Sequence, residues 1–226
     1  MRPSDVSLMI FAAGFGTRMG ELTKITPKPM LPLFGRPMID HTLNLAKSAG
    51  IETVFANIHH LADKIEPHLA AKGVTVFRET PDILDTGGGL LAARPHLTSP
   101  TLTLNPDYTW NGPNPLERLL DAWSDEMRAL LLVVPLDRAE NRDAPGDFDL
   151  VEGALSRGGS WVYTGAQLIR TEDLNKLGKT VFSLNDYWDY ISNRGPLHGL
   201  EYPGIWTDIG TADALNRANA KGPDDV

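Results

Sequence analysis

The chain has 226 residues, 42% of them apolar and 22% charged, with no cysteine and a formal net charge of −8. That length suits one generous α/β domain of ordinary globular composition. The acidic balance argues against gripping a polynucleotide, whose affinity rests on clustered Lys and Arg, and the lack of cysteine excludes a disulfide scaffold, a thiolate zinc site and a cysteine nucleophile.

The charge is unevenly placed. Residues 1–40 carry five basic and three acidic side chains, a net +2, whereas residues 41–226 carry 16 basic and 26 acidic, a net −10. An anionic ligand is therefore expected at the N-terminal end. No stretch approaches the ~18–20 apolar residues of a bilayer span; the longest, Ala129–Leu136, has eight. Leu8–Ala13 is too short for the apolar region of a signal peptide, and Asp5 is the wrong flank for one. The expectation is a cytoplasmic protein, monomer or homodimer, with no membrane or polynucleotide partner.

In chain order, Leu8–Ala13 reads as a buried parallel strand closed by Gly14. Gly14–Pro37 is a long loop, and loops of that length are usually functional. Pro37 opens a helix over Met38–Ala49, with Ile39, Leu43 and Ala46 on one face and Gly50 as its stop. Thr53–Asn57 and Val74–Phe77 read as strands around a helix near Leu61–Lys72. A loop is expected over Glu79–Gly89 and a helix over Gly89–Arg94. Thr101–Leu104 is a strand, Pro115–Ser124 a helix and Ala129–Pro135 a buried strand. Phe148–Val151, Ala154–Leu155 and Trp161–Ile169 suggest a small, more antiparallel subregion. A last helix follows Thr211, and a short tail follows it at 220–226.

Strands alternating with helices predict an α/β, Rossmann-like fold: a mostly parallel central sheet with helices on both faces. Ligands in such sheets sit beyond the carboxyl ends of the strands, where the loops at Gly14, Glu79 and Asn105 leave.

The strongest motif is Ala12-Ala-Gly-Phe-Gly-Thr-Arg-Met-Gly20. Its spacing is neither that of a P-loop nor that of a dinucleotide fingerprint. With Arg18 inside the turn and Lys28 between two prolines downstream, amides and cations make a triphosphate cradle. The prolines are expected to hold Lys28 in a stiff extended segment, whereas Lys24 reads as a solvated surface charge. His59, His60 and His68 have no clean metal spacing, and no Ser-His-Asp triad is present.

Ala12-Ala-Gly-x-Gly-Thr-Arg-Met, Pro27-Lys-Pro-Met-Leu-Pro-Leu33 and Gly35-Arg-Pro-Met38 resemble the signature of sugar-1-phosphate nucleotidyltransferases. The likeness continues at Asp85-Thr-Gly-Gly-Gly89, Asn105-Pro-Asp107, Gly146-Asp-Phe148 and Trp206-Thr-Asp-Ile-Gly-Thr211. It spans about 8–219, and among the family's branches the short uridylyltransferase form acting on N-acetylmuramic acid α-1-phosphate, in cell-wall sugar recycling, is the most similar.

The resemblance implies one domain over 1–226, with a nucleotide half at about 8–110 and a sugar-phosphate half at about 111–219. It implies that an NTP, UTP above all, lies along Ala12, Ala13 and Gly14, then Gly16, Thr17 and Arg18, with Lys28 at the reacting phosphates. Gly87 and Gly88 would admit the base edge. Asp107 and Asp208 would hold Mg²⁺, and Asn105, Asp147 and Gly165 would meet the sugar phosphate. Arg18, Lys28, Asp107 and Asp208 form the implied catalytic set. Other pairs, such as GTP with mannose 1-phosphate, use the same residues.

Two departures stand out. Pro106 occupies a position where relatives usually carry glycine, removing one backbone donor. A Glu-Lys-Pro segment common in relatives is also missing, its place taken by Ser156-Arg-Gly-Gly-Ser160. The change at Pro106 motivates a competing reading, a catalytically weakened nucleotide-sugar sensor. Retention of all four implied catalytic residues favours the enzyme.

Overall fold

A computed structural model describes residues 1–222. β1 (Leu8–Phe11) forms from the first apolar run. Leu8 and Ile10 pack into one layer and Met9 into the other, so this strand is covered on both faces. The following loop is not featureless. It holds the one-turn helix α1 (Leu22–Ile25) and the two-residue strands β2 (Pro32–Leu33) and β3 (Arg36–Pro37), which pair as a hairpin.

Helix α2 (Met38–Ser48) turns its apolar stripe inward, burying Met38, Ile39 and Ala46. Next come β4 (Val54–Ile58), α3 (Ala62–Ala71) and β5 (Thr75–Arg78). Helix α4 (Asp85–Ala93) starts four residues before the expected Gly89, which corrects the predicted loop. Three glycines in a row are poor helix formers, but tertiary packing overrides propensity here.

β6 (Thr101–Leu104), β7 (Tyr108–Asn111), α5 (Pro115–Ala122), β8 (Ala129–Pro135) and the short β9 (Ala139–Glu140) follow. β10 (Phe148–Val151), β11 (Ala154–Arg157) and β12 (Trp161–Ile169) match the expected strands closely. The final stretch holds α6 (Leu184–Ser192), β13 (Leu197–Glu201), β14 (Ile205–Asp208) and α7 (Ala212–Lys221). Helix α7 is capped by the Thr211 hydroxyl and continues through Lys221, where a tail was expected; residues 223–226 of that tail lie outside the described residues.

Nine strands form the central sheet in the order β10-β11-β13-β8-β12-β6-β1-β4-β5. β5, β4, β1 and β6 are mutually parallel, and β12 runs against both β6 and β8. α2, α3 and α5 cover one face, while α4 and α6 cover the other. Thus the fold is the expected mixed, mostly parallel sheet with helices on both sides. The antiparallel subregion is the β10–β11–β12 corner.

A second sheet of three strands, β7-β14-β9, projects beyond the carboxyl ends of the main sheet's parallel strands. β7 leaves directly from β6 through Asn105-Pro106-Asp107, and β14 pairs with it antiparallel, Tyr108 opposite Asp208. This pairing sets the position of the chemistry.

Candidate active site

The glycine turn after β1 forms one wall of an open cavity of about 290 Å³. Ala12 donates its amide to Oδ1 of Asn57 at 2.9 Å, which ties the turn to β4. Gly14 faces open space. Gly16 has φ +64°, and a side chain there would sit 2.9 Å from both Lys28 Cβ and Thr23 Cγ2. The glycine therefore supplies a left-handed turn and the room for Lys28 to cross it. Thr23 caps the turn by donating its hydroxyl to the carbonyls of Gly16 and Gly20.

Lys28 begins a 3-10 turn over Lys28–Met30, in place of the extended conformation expected from its proline neighbours. Only 12% of its side chain is exposed, and its ammonium pairs with Oδ2 of Asp107. Lys24 pairs with Glu21 at the surface, 68% exposed, consistent with a solvated role.

Asp107, in the turn before β7, and Asp208, at the end of β14, lie about a hundred residues apart in sequence, yet the β7–β14 register brings them together. The Ile209 amide donates to the Asp107 carbonyl at 2.9 Å, closing the junction. Pro106 lines the cavity and asks for no hydrogen bond, so the loop tolerates the missing donor.

Asp208 is buried, and its Oδ1 has no hydrogen-bond partner among the described residues. Its other oxygen lies 3.7 Å from the Arg18 guanidinium. Burial, with a contribution from the Asp107 charge, pushes its carboxyl above the ordinary carboxylate range, while Arg18, Lys28 and the Gly210 amide oppose that shift. An orphaned buried oxygen beside a second carboxylate is costly unless a cation meets it. Gly210 leaves room for Arg18: a side chain at that position would lie 2.5 Å from Arg18 Nη1. Among the described residues no cluster of three or more His, Cys, Asp or Glu side chains could hold a metal.

Glu79 is buried without a cationic partner among the described residues. It accepts from Asn57 Nδ2 and the Leu84 amide, both at 2.7 Å. Asn57, Glu79, Ile83 and Thr86 also line the cavity. Gly87 and Gly88 do not. Their amides donate to the Phe182 carbonyl, and added side chains would collide with Phe182 and Thr180. The expected base contact at these glycines is therefore replaced by helix packing.

A second cavity of about 320 Å³ adjoins the first and shares Phe11, Asp85, Thr86 and Asn105 with it. Tyr108, Tyr163 and Trp188 form its aromatic walls, and Arg142 and Asp147 its polar one. Asn105 stands on the shared boundary, its amide donating to the Gly165 carbonyl at 3.1 Å.

Gly165 itself lines neither cavity. It sits in a bulge of β12 with φ +80°, where a side chain would lie 2.2 Å from the Tyr108 ring. The missing side chain there makes room for the Tyr108 ring. Asp147 lines the second cavity, but its oxygens already accept from the Tyr163 amide at 2.9 Å and the Arg142 guanidinium at 2.7 Å. Burial pushes the Tyr108 phenol well above its ordinary value.

Asn57, Glu79, Tyr108, Arg142 and Gly210 are features the motif reading left out. Of these, only Gly210 had a local signal, lying inside Trp206-Thr-Asp-Ile-Gly-Thr211. The histidines serve structure: His68 pairs with Asp40, while His59 and His60 bond to the carbonyls of Glu79 and Thr23. Among the described residues no helix is long and apolar enough to cross a membrane.

Residues 8–171 match the MobA-like NTP transferase domain family. The chain is 29% identical to the N-acetylmuramate alpha-1-phosphate uridylyltransferase of Caulobacter vibrioides, over 94% of this chain and 95% of that one. It is 30% identical to the enzyme of the same name from Neisseria meningitidis serogroup B, over 94% and 96%. A solved structure of a putative glucose-1-phosphate thymidylyltransferase from Bacillus anthracis, in complex with a sucrose, superposes with a TM-score of 0.80 at 20% identity, covering 98% of this chain and 96% of that one. At that identity the likeness is one of fold. Family match and relatives agree with the joined cavities: the chain belongs to the MobA-like NTP transferase domain family and is a sugar-1-phosphate nucleotidyltransferase.

Proposed function

We propose that the chain transfers a uridylyl group from UTP to N-acetylmuramic acid 1-phosphate or a related hexosamine 1-phosphate, releasing pyrophosphate. The observation that carries this reading is the meeting of two cavities at Asn105, beside the Asp107–Asp208 pair. The names of the relatives supply the base and the sugar.

An oxygen of the acceptor phosphate attacks the α-phosphorus of the nucleotide in line. A bond forms from that oxygen to phosphorus as the bond to the bridging oxygen breaks, and the electron pair leaves on pyrophosphate. The protein contributes positioning and charge stabilisation rather than covalent chemistry. The glycine turn carries the triphosphate, and Arg18 holds its leaving end. Lys28, freed from Asp107, meets the charge that grows at the reacting phosphates. Asn105 lies between donor and acceptor.

Two carboxylates with one orphaned oxygen are the hard donor set that suits Mg²⁺, which usually takes one or two carboxylates and completes its shell with phosphate and water. Asp107 and Asp208 would hold it, and it would neutralise charge between the two phosphate groups. Pyrophosphate release measured over a matrix of NTPs and sugar 1-phosphates tests the proposal. UTP with N-acetylmuramic acid 1-phosphate is expected to be the fastest pair; no turnover with any pair overturns it.

A further inference from the structure

The second cavity carries two arginines, and they are not equivalent. Arg157 is fully employed. Its nitrogens donate to Asp189, to the Asn185 side chain and to the Asn185 carbonyl, all within 3.0 Å. Its guanidinium lies 5.0 Å from the Phe148 ring centroid and 5.5 Å from that of Trp188. Those contacts rivet β11 to α6 and occupy four of its five N–H donors.

Arg142 is held differently. One nitrogen, Nη2, donates to Asp147 at 2.7 Å and to the Pro145 carbonyl at 3.4 Å. Asp147 is itself fixed by the Tyr163 amide, so the carboxylate works as an anchored bracket. The Arg142 Nε is buried with no partner among the described residues. The side chain lines the second cavity and is 23% exposed, so its guanidinium is placed to donate to an acceptor entering there. The neighbouring residue places this arginine close to the chemistry: Asn141 donates to the Asp208 carbonyl at 3.2 Å.

We propose that Arg142 is the anion-reading residue of the acceptor cavity, donating to an anionic group of the incoming sugar 1-phosphate. The inference rests on the function proposed above and assigns the acceptor side its own cation, as Arg18 and Lys28 serve the nucleotide. Two groups of such an acceptor share the required chemistry, the 1-phosphate and, in a muramic acid, the carboxylate of the lactyl ether.

The test compares Arg142→Gln, Arg142→Lys and wild type with UTP and two acceptors, N-acetylmuramic acid 1-phosphate and N-acetylglucosamine 1-phosphate. Turnover is followed by pyrophosphate release, acceptor binding by calorimetry and folding by thermal melting. Arg142→Gln is expected to raise the acceptor KM at least tenfold, with the KM for UTP and the melting temperature held near wild type. Arg142→Lys is expected to recover part of the loss, since charge is kept but the planar fork is not.

A loss confined to the muramic acid substrate assigns the carboxylate, and an equal loss with both assigns the phosphate. An unchanged acceptor KM in Arg142→Gln overturns the proposal. So does a loss that falls equally on UTP and acceptor, or one matched by a fall in melting temperature in both variants. Acceptor binding by wild type without turnover would instead count against the enzymatic reading. In that case the same calorimetric comparison decides the role of Arg142, and wild type that binds neither acceptor overturns it.

Discussion

The donor and acceptor sides of the cleft are built by different rules. On the side proposed for the donor, parallel strands end at one edge and a single contiguous turn, Ala12–Arg18, supplies one wall. On the acceptor side, Asn105, Arg142, Asp147, Tyr163 and Trp188 come from far-separated segments, brought together by an antiparallel, bulged strand and a helix on the opposite flank. The difference teaches where specificity is easy to vary. The proposed triphosphate cradle is backbone in a short motif, whereas the proposed acceptor wall consists of individual side chains on independent elements. The carboxylate pair is created by the β7–β14 pairing, with Asp107 on the edge of the first cavity.

The largest effect is expected at that seam. Asp107→Asn and Asp208→Asn should each lower kcat by about 10³-fold or more, the scale of losing charge stabilisation at a reacting phosphate. Circular dichroism and nucleotide binding should show the fold and the donor cavity intact. Near-normal turnover in either variant would remove the seam from the mechanism and leave the two sides without a shared centre.

Gly165→Ala sharpens the comparison from the acceptor side. The new methyl group meets the Tyr108 ring and strains a positive-φ position, so a stability loss of about 1–3 kcal/mol is expected. The effect should also displace Tyr108 in the acceptor wall and raise the acceptor KM more than the KM for UTP. Equal changes in both constants would mean that the cavities are not mechanically distinct.

A smaller effect concerns pH in the metal-free chain. Asp208 titrates above its ordinary value when folded, chiefly because it is buried. Between the two values the folded chain binds more protons than the unfolded chain. The stability tied to this group is therefore fully present below the unfolded value and lost as pH rises through the folded one. Asp208→Asn should melt above wild type at pH 7, and the advantage should vanish below about pH 4, where the carboxyl is protonated in both states. An advantage that grew on acidification would contradict the sign of the shift.

The parallel half of the sheet was legible because buried parallel strands are continuous apolar runs punctuated by Gly and Pro, as at Leu8–Phe11 and Ala129–Pro135. β7, β13 and β14 were not, being four or five residues long and mixing aromatic, polar and glycine positions. Helix α6 had a readable signal that aromatic content obscured: Ser183 as its cap and Leu184, Tyr187, Trp188 and Ile191 at helical spacing. In the site, Arg18, Lys28 and Asp107 line the first cavity, and Asp208 lies 3.7 Å from Arg18. Gly87, Gly88 and Gly165 misled because a missing side chain reads the same whether a ligand or a phenyl ring fills the space. Only tertiary structure identifies Phe182 and Tyr108 as the occupants. The unsatisfied Nε of Arg142 has no sequence signature at all.

The most direct test of the seam is a crystal structure of the chain with Mg²⁺ and the nucleotide-sugar product. The nucleotide is expected along Ala12–Gly16, the sugar against Trp188 and Arg142, and the diphosphate with its metal between Asp107 and Asp208. A diphosphate remote from both carboxylates, or a sugar lying outside the second cavity, would contradict this placement.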